Sequence, residues 1–144
     1  MVARQPQAVV VDSGYWYALF DARDPLASQA QAKAHHLDAL TVVVPWPILY
    51  ETLGTRFVKN RSGMVSFEKA LQQPNVQFVD DAPYKDEALE AALQAGRLGR
   101  RPMSLCDMLI RLLIQDVNVR VDALLTFNVR DFSDVCRARR VQIL

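Results

Sequence analysis

Three acidic residues stand where the apolar pattern of the sequence changes. Asp12 directly follows the apolar run 8–11, Glu51 lies in a segment with helical spacing, and Asp107 lies near the start of the most apolar helical pattern in the chain. A carboxylate in apolar surroundings needs a cation or hydrogen-bond donors. All-oxygen ligand sets select hard ions such as Mg²⁺ or Mn²⁺. The three acids are therefore candidate metal ligands and catalytic residues.

A polar turn after a later strand supplies a fourth candidate element. The strand ends at Thr126, and the turn carries Asn128 and Asp131. If the four elements meet, carboxylates about 5 Å apart repel each other by roughly 3 kcal/mol at an effective dielectric near 20. Such acids either take up protons or surround a divalent cation. Asn128 and Asp131 thus join the candidate oxygen-bearing groups of the site.

Each of these residues also has an ordinary structural explanation. Asp12 is a good N-cap for a following helix, and Ser104 with Asp107 resembles a capping box. The Asn and Asp of the turn are common turn and cap residues. A solvated position on its helix is the alternative for Glu51, but both faces beside it carry apolar residues, so we expect Glu51 to be at least partly buried.

Alternating strands and helices must position these acids. Strands are predicted at 8–11, 41–44, 76–79, 123–126 and 141–144, and helices at 15–21, 25–37, 47–59, 65–72, 84–95, 104–116 and 132–137. Gly96 or Gly99 is expected to end the helix at 84–95. Apolar strands separated by helices indicate an α/β fold, a three-layer α/β/α sandwich with a mostly parallel central sheet, in one domain over residues 1–144. Ligands of such sheets bind beyond the carboxyl ends of the strands, where the strand order reverses.

Composition narrows the class of protein. The 144 residues contain 17 Lys and Arg against 16 Asp and Glu, a formal net charge of +1, which excludes a generally polybasic nucleic-acid binder but not one with segregated charge. Two cysteines without paired spacing suggest a reducing compartment, and we expect a cytoplasmic protein with no targeting signal and no membrane span. His35 and His36 are adjacent, so they do not readily face one zinc ion.

Four motifs in order carry a family resemblance. They are VDSG at 11–14, PILYETL at 47–53, SLCD at 104–107 and TFNVRDF at 126–132. Together they resemble the PIN domain, in particular the VapC toxin ribonucleases, over essentially the whole chain. A phosphatase of the haloacid-dehalogenase type is disfavoured, because it needs a second aspartate where Gly14 stands.

The resemblance implies roles for individual residues. Asp12, Glu51 and Asp107 match the metal ligands of the family. The family's fourth acid often stands two residues after the threonine, where this chain has Asn128, and Asp131 is the nearby substitute. The hydroxyl residues expected to orient the carboxylates are Ser13, Ser104 and Thr126.

The implied function is Mg²⁺- or Mn²⁺-dependent endoribonuclease activity that leaves a 5′-phosphate and a 3′-hydroxyl, with one or two ions. Arg100, Arg101 and Arg130 adjoin the motifs and are candidate RNA-phosphate contacts. A small antitoxin and a second copy of the chain are the implied partners. Because of Asn128, the alternative of a PIN-like module that has lost catalysis and binds RNA or protein stays open.

Overall fold

The computed structural model describes residues 5–144 and contains a sheet of five parallel strands. The strands are β1 Ala8–Val11, β2 Thr41–Pro45, β3 Val76–Val79, β4 Ala123–Leu125 and β5 Gln142–Ile143. Their order is β3-β2-β1-β4-β5, and every neighbouring pair is parallel. The predicted parallel sheet is thus confirmed.

Strand β1 lies at the centre of this sheet. Val9, Val10 and Val11 are completely buried, as expected of a strand covered on both faces. The chain crosses from β1 to β2 on one side, while β4 pairs with the other side of β1. The strand order therefore reverses between β1 and β4, and ligands of such sheets bind beyond the carboxyl ends of the two strands at this point.

Helices form the other two layers of the fold. They are α1 Ser13–Phe20, α2 Ala27–Lys33, α3 His35–Ala39, α4 Trp46–Thr52, α5 Arg61–Leu71, α6 Lys85–Arg97, α7 Leu105–Gln115 and α8 Val129–Arg139, with 3₁₀ turns at Phe57–Lys59 and Ala82–Tyr84. Helix α1 packs against α2, α4 and α5, whereas α7 packs against α6 and α8. Because right-handed crossovers to opposite sides of β1 place their helices on opposite faces, the sheet lies between these two groups. This is the expected α/β/α sandwich.

Aromatic side chains fill the core beneath α1. Tyr15 and Trp16 are each only 1% exposed, and the Tyr15 hydroxyl donates a hydrogen bond of 2.7 Å to the carbonyl of Ala30. The Trp16 ring stacks on Phe20 and meets Phe67 edge to face. Two of the three aromatic residues beside the first motif are therefore core residues.

The predicted helix at 47–59 is wrong in its second half. Helix α4 ends at Thr52, and Gly54 donates its N–H to the Glu51 carbonyl at 3.3 Å. A Cβ at Gly54 would lie 3.2 Å from that carbonyl, so glycine allows the close turn. Leu53, the first residue after α4, is 39% exposed as a result.

Two other helix boundaries depend on local hydrogen bonds. The predicted helix at 25–37 starts only at Ala27 and is divided into α2 and α3. At the division, the Ala34 N–H donates to the Gln31 carbonyl, three residues back, with the spacing of a 3₁₀ turn. Gly99, with φ of 63°, ends α6 as predicted for one of the two glycines, while Gly96 lies inside that helix. None of the helices within residues 5–144 has the length and apolar character that crossing a bilayer requires.

Candidate active site

Asp12 and Thr126 meet at the point where the strand order reverses. Asp12 follows β1 and is the N-cap of α1, where its Oδ1 accepts the Ser13 N–H at 2.9 Å. Its Oδ2 accepts a hydrogen bond of 2.8 Å from the Thr126 hydroxyl, directly after β4. Asp12 is therefore both a helix cap and a buried carboxylate held by two elements, so its structural and functional explanations are compatible.

The environment of Asp12 raises the pKa of its carboxyl above the ordinary value. Burial is the main cause, and the hydrogen bonds from Thr126 and Ser13 act in the opposite direction. The negative charges of Glu51 and Asp131 raise the pKa further. The first and last acidic motifs are thus close enough in space to affect each other electrostatically.

Glu51 lies on the surface, so the expectation of partial burial is wrong. It stands one residue before the end of α4, and the exposed position follows from the early end of that helix. Its backbone carbonyl accepts a hydrogen bond from the Tyr17 hydroxyl. Helix α4 packs against α7, where burial and the neighbouring Glu51 carboxylate raise the pKa of the Cys106 thiol.

Asp107 occupies the first turn of α7, half-buried beside the other acids. The Ser104 hydroxyl oxygen accepts the Asp107 N–H at 3.0 Å, which is the capping interaction that the sequence predicts. Burial, followed by the charges of Asp12 and Glu51, raises the pKa of the Asp107 carboxyl to about 6. Asp131 adds to this effect, so the charges of the other three candidate acids all reach Asp107.

The fourth motif forms its own network around Asp131, which is buried in the first turn of α8. Its Oδ2 accepts a hydrogen bond of 2.6 Å from the Asn128 amide, and its Oδ1 pairs with the Arg101 guanidinium. The Asn128 backbone N–H donates to the Thr126 hydroxyl oxygen at 2.9 Å. Because that hydroxyl donates to Asp12, a continuous polar chain connects Asp131 with Asp12.

The three candidate RNA-binding arginines differ in their positions. Arg100 and Arg130 are exposed, whereas the Arg101 side chain is 39% exposed and paired with Asp131. Arg100 follows the C-terminal turn of α6, where its N–H bonds to the Ala95 carbonyl at 3.0 Å. Of the three, Arg101 alone forms an ion pair within the described part of the chain.

Comparison with known proteins gives matches at the level of structure. No family model matches the sequence, and no curated protein matches it. VapC20 of Mycobacterium tuberculosis, a toxin that cleaves the sarcin-ricin loop, matches with a TM-score of 0.67 at 20% identity, over 88% of this chain and 93% of VapC20. VapBC2 of Rickettsia felis, bound to a DNA fragment from its promoter, matches with a TM-score of 0.58 at 12% identity, over 96% of this chain and 98% of its own.

The chain has the PIN-domain fold of the VapC toxins. The resemblance inferred from the four motifs is confirmed at the level of the fold. In this VapC fold, Asp12 and Thr126 follow central strands, and Asp107 begins a helix that packs on α4.

The acidic residues of this VapC fold differ in how well they could hold a divalent cation. Among residues 5–144, no group of three or more His, Cys, Asp or Glu side chains stands ready to hold a metal ion. The acids whose charges act on one another here nevertheless offer carboxylate oxygens, which are ligands that suit Mg²⁺ or Mn²⁺. A cation would relieve the repulsion that raises the pKa of Asp107. Glu51 is exposed, and its charge acts on both Asp12 and Asp107.

Two features near the site have no clear signal in the sequence. The Arg111 guanidinium donates to the backbone carbonyl of Asp131 at 2.7 Å. It also donates two hydrogen bonds, of 2.6 and 2.7 Å, to the Asp134 carboxylate. On the other side, Trp46, Tyr50 and Phe78 form an exposed aromatic group, with Trp46 ring centroids 6.0 and 6.4 Å from the other two. Only the packing of α7 on α8 and of α4 beside β3 brings these residues together.

Proposed function

We propose that this chain is a divalent-cation-dependent endoribonuclease of the VapC kind. The observation that carries the proposal is the convergence of acidic charge at the reversal point of the sheet, where the pKa of Asp107 is raised to about 6 by burial and by Asp12 and Glu51. Perturbed carboxyl groups in such a crevice are typical of catalytic sites. The VapC fold supports RNA as the substrate class, because VapC20 is an RNA-cleaving toxin.

In the proposed mechanism, Asp12, Glu51 and Asp107 hold Mg²⁺ or Mn²⁺, which when bound lowers the pKa of a water and offsets charge on the phosphate. Asp12 is fixed for this role by the Thr126 hydroxyl and the Ser13 N–H. Asp107 is fixed less directly, because the Ser104 hydroxyl caps its backbone N–H.

Asn128 and Asp131 act as a pair in this proposal. The Asn128 amide orients the Asp131 carboxylate, and that carboxylate holds the Arg101 guanidinium near the other acids. Asp131 can add a ligand oxygen once Arg101 moves aside. While paired with Asp131, Arg101 supplies a positive charge that reduces the repulsion between an approaching RNA phosphate and the acidic residues. Arg100 and Arg130 are exposed and free to contact phosphates farther along the strand.

A small antitoxin is the proposed protein partner. The structural match to VapBC2 supports this partner, as does the exposed aromatic group next to Glu51. Tyr50 and Phe78 are 61% and 51% exposed, and exposed aromatic groups of this kind mark protein interaction surfaces. We also propose a homodimer, which the family resemblance alone supports.

A module that binds RNA or protein without cleaving it is the second candidate. It is favoured by the pairing of Asp131 with Arg101 and by the absence, among the described residues, of acids already grouped around a cation position. Such a module would bind Mn²⁺ weakly or not at all. A nuclease would bind it through Asp12 and Asp107.

Cleavage of RNA by the purified chain tests the proposal. Total bacterial RNA and intact ribosomes are incubated with the protein in Mg²⁺ or in EDTA, and new RNA ends are mapped. We expect Mg²⁺-dependent cuts with 5′-phosphate and 3′-hydroxyl ends that Asp107→Asn abolishes. Asp86→Asn is the matched control. Asp86 lies in the first turn of α6, two residues after Tyr84, whose hydroxyl donates to Asp116 just beyond the end of α7 that is far from Asp107. Full cleavage by Asp107→Asn would refute the assignment.

A further inference from the structure

A basic cleft lies beside the candidate site, where the end of α1 meets the segment that follows α4. A cavity of 610 Å³ is lined by Tyr17, Asp21, Arg23, Asp24, Pro25, Arg56, Phe57, Lys59 and Asn60. A second cavity of 740 Å³ shares Arg23, Lys59 and Asn60 with it and adds Arg61. We call these two connected cavities, with their basic residues Arg23, Arg56, Lys59 and Arg61, the basic cleft.

Most of the positive charge in the basic cleft is unpaired. The ion pairs within residues 5–144 do not involve Arg56, Lys59 or Arg61. Asp21 pairs with Arg23 at 3.3 Å and Asp24 accepts the Leu26 N–H at 2.8 Å, so the four cations of the cleft outnumber its two acids. Three free cations near one another favour a ligand with several negative charges.

Tyr17 joins the basic cleft to the candidate site. Its hydroxyl donates to the Glu51 backbone carbonyl, and its ring packs edge-on against Phe57, with centroids 5.4 Å apart. Burial is the main cause that raises the pKa of Tyr17. The negative charge of Glu51 raises this pKa further, and the positive charge of Arg56 acts in the opposite direction. The Tyr17 phenol is therefore close to both Glu51 of the candidate site and Arg56 of the basic cleft.

We propose that the basic cleft binds the phosphate backbone of single-stranded RNA next to the bond that is cleaved, an inference that rests on the proposed ribonuclease function. The acids of the site repel phosphates, so cations on its flank must supply the attraction for the strand. A positively charged groove of this kind tracks the backbone of a single strand. Arg56, Lys59 and Arg61 follow one another along the chain and offer successive contacts to successive phosphates.

Binding of a fluorescein-labelled, unstructured RNA oligonucleotide in EDTA tests this inference without cleavage. We expect Arg56→Gln/Lys59→Gln to weaken binding about 5- to 10-fold at low salt. The slope of log Kd against log salt should fall by roughly 1.4, because each lost contact to a single strand contributes about 0.7. The matched control is Arg137→Gln/Arg139→Gln, with the same charge change on exposed residues at the end of α8.

The outcomes separate this inference from the proposed function. Equal weakening by the cleft and control variants overturns the cleft assignment, even if the wild-type chain cleaves RNA. Selective weakening supports the cleft, even if the chain cleaves nothing and the proposed function fails. Displacement of the RNA by a poly-glutamate peptide of equal charge at equal concentration also overturns it, since the cleft would then take any acidic chain. Circular dichroism of each variant establishes that it is folded.

Discussion

The Arg101 guanidinium pairs with Oδ1 of Asp131, a buried carboxylate whose Oδ2 is already bonded to the Asn128 amide. Arg101 and Asp131 are 30 positions apart in the sequence numbering, on either side of α7. The pair places a cation of the chain itself beside the acids of the candidate site. It also occupies Oδ1 of Asp131, so this oxygen is not available to a divalent ion while the pair is formed.

Removal of the Arg101 charge should strengthen cation binding. We expect Arg101→Gln to lower the Kd for Mn²⁺ roughly fivefold, because one positive charge near the ion is worth about 1 kcal/mol in a largely solvated site. Isothermal titration calorimetry measures the change. Arg100→Gln is the control, with the same charge change on an exposed neighbour. Equal effects of the two substitutions would show that Asp131 and Arg101 do not influence the cation.

The hydroxyl group of Thr126 should contribute more to the stability of the protein than the space that the side chain fills. Thr126→Val keeps the shape but leaves the buried Asp12 carboxylate without its 2.8 Å donor, so we expect a loss of about 1–3 kcal/mol in the free energy of unfolding. Thr126→Ser keeps the hydroxyl and loses one methyl group, at about 1 kcal/mol. Urea unfolding at neutral pH compares the two variants, and a serine variant no more stable than the valine variant would argue against the bond.

Asp107 should make the metal-free protein sensitive to pH. Because its pKa in the folded state is about 6, above the ordinary 3.8, the folded protein holds the proton more tightly and loses stability as pH rises through that window. We expect Asp107→Asn to be more stable than wild type by about 1 kcal/mol at neutral pH, after a discount for its partial exposure to solvent.

Urea unfolding in EDTA at about pH 4 and about pH 7.5 provides the measurement. The advantage of the asparagine variant should appear at the higher pH and vanish at the lower one, where the wild-type Asp107 is protonated. Mn²⁺ should stabilise the wild type and leave Asp107→Asn unchanged. An advantage of equal size at both pH values would mean that charge at Asp107 is not its cause.

Asn128→Asp tests the departure of the fourth motif from the family pattern. In the metal-free protein, the new carboxylate replaces the amide donor 2.6 Å from Asp131 and repels it, so we expect a loss of about 1–3 kcal/mol in the free energy of unfolding. In Mn²⁺ the loss should shrink, because a cation offsets the added charge. A variant as stable as wild type in EDTA would show that the bond between Asn128 and Asp131 does not hold the motif together.

The sequence predicts the sheet well because its signal is local. Strands β1 and β4 are short apolar runs, and Asp12 and Thr126 directly follow them, so the meeting of these two residues follows from the parallel arrangement. The N-cap role of Ser104 is likewise readable from the spacing to Asp107.

Features that depend on distant contacts could not be predicted. The expectation that Glu51 is partly buried rests on the apolar residues on both faces beside it. Part of that pattern lies beyond Thr52, where the close turn at Gly54 ends α4 and leaves the glutamate on the surface. Arg101 was predicted to bind RNA, and its pairing with Asp131 arises only because α7 packs on α8. Exposed Phe78 belongs to an apolar run, and only its place on the edge strand β3 explains the exposure.

Titration of the metal-free protein with Mn²⁺ tests most directly the claim that these acids bind a catalytic cation. We predict saturable binding to the wild type, its loss in Asp12→Asn, and its retention in Asp86→Asn, whose carboxylate lies in the first turn of α6. Failure of the folded wild type to bind Mn²⁺, or equal binding by Asp12→Asn, would contradict the account.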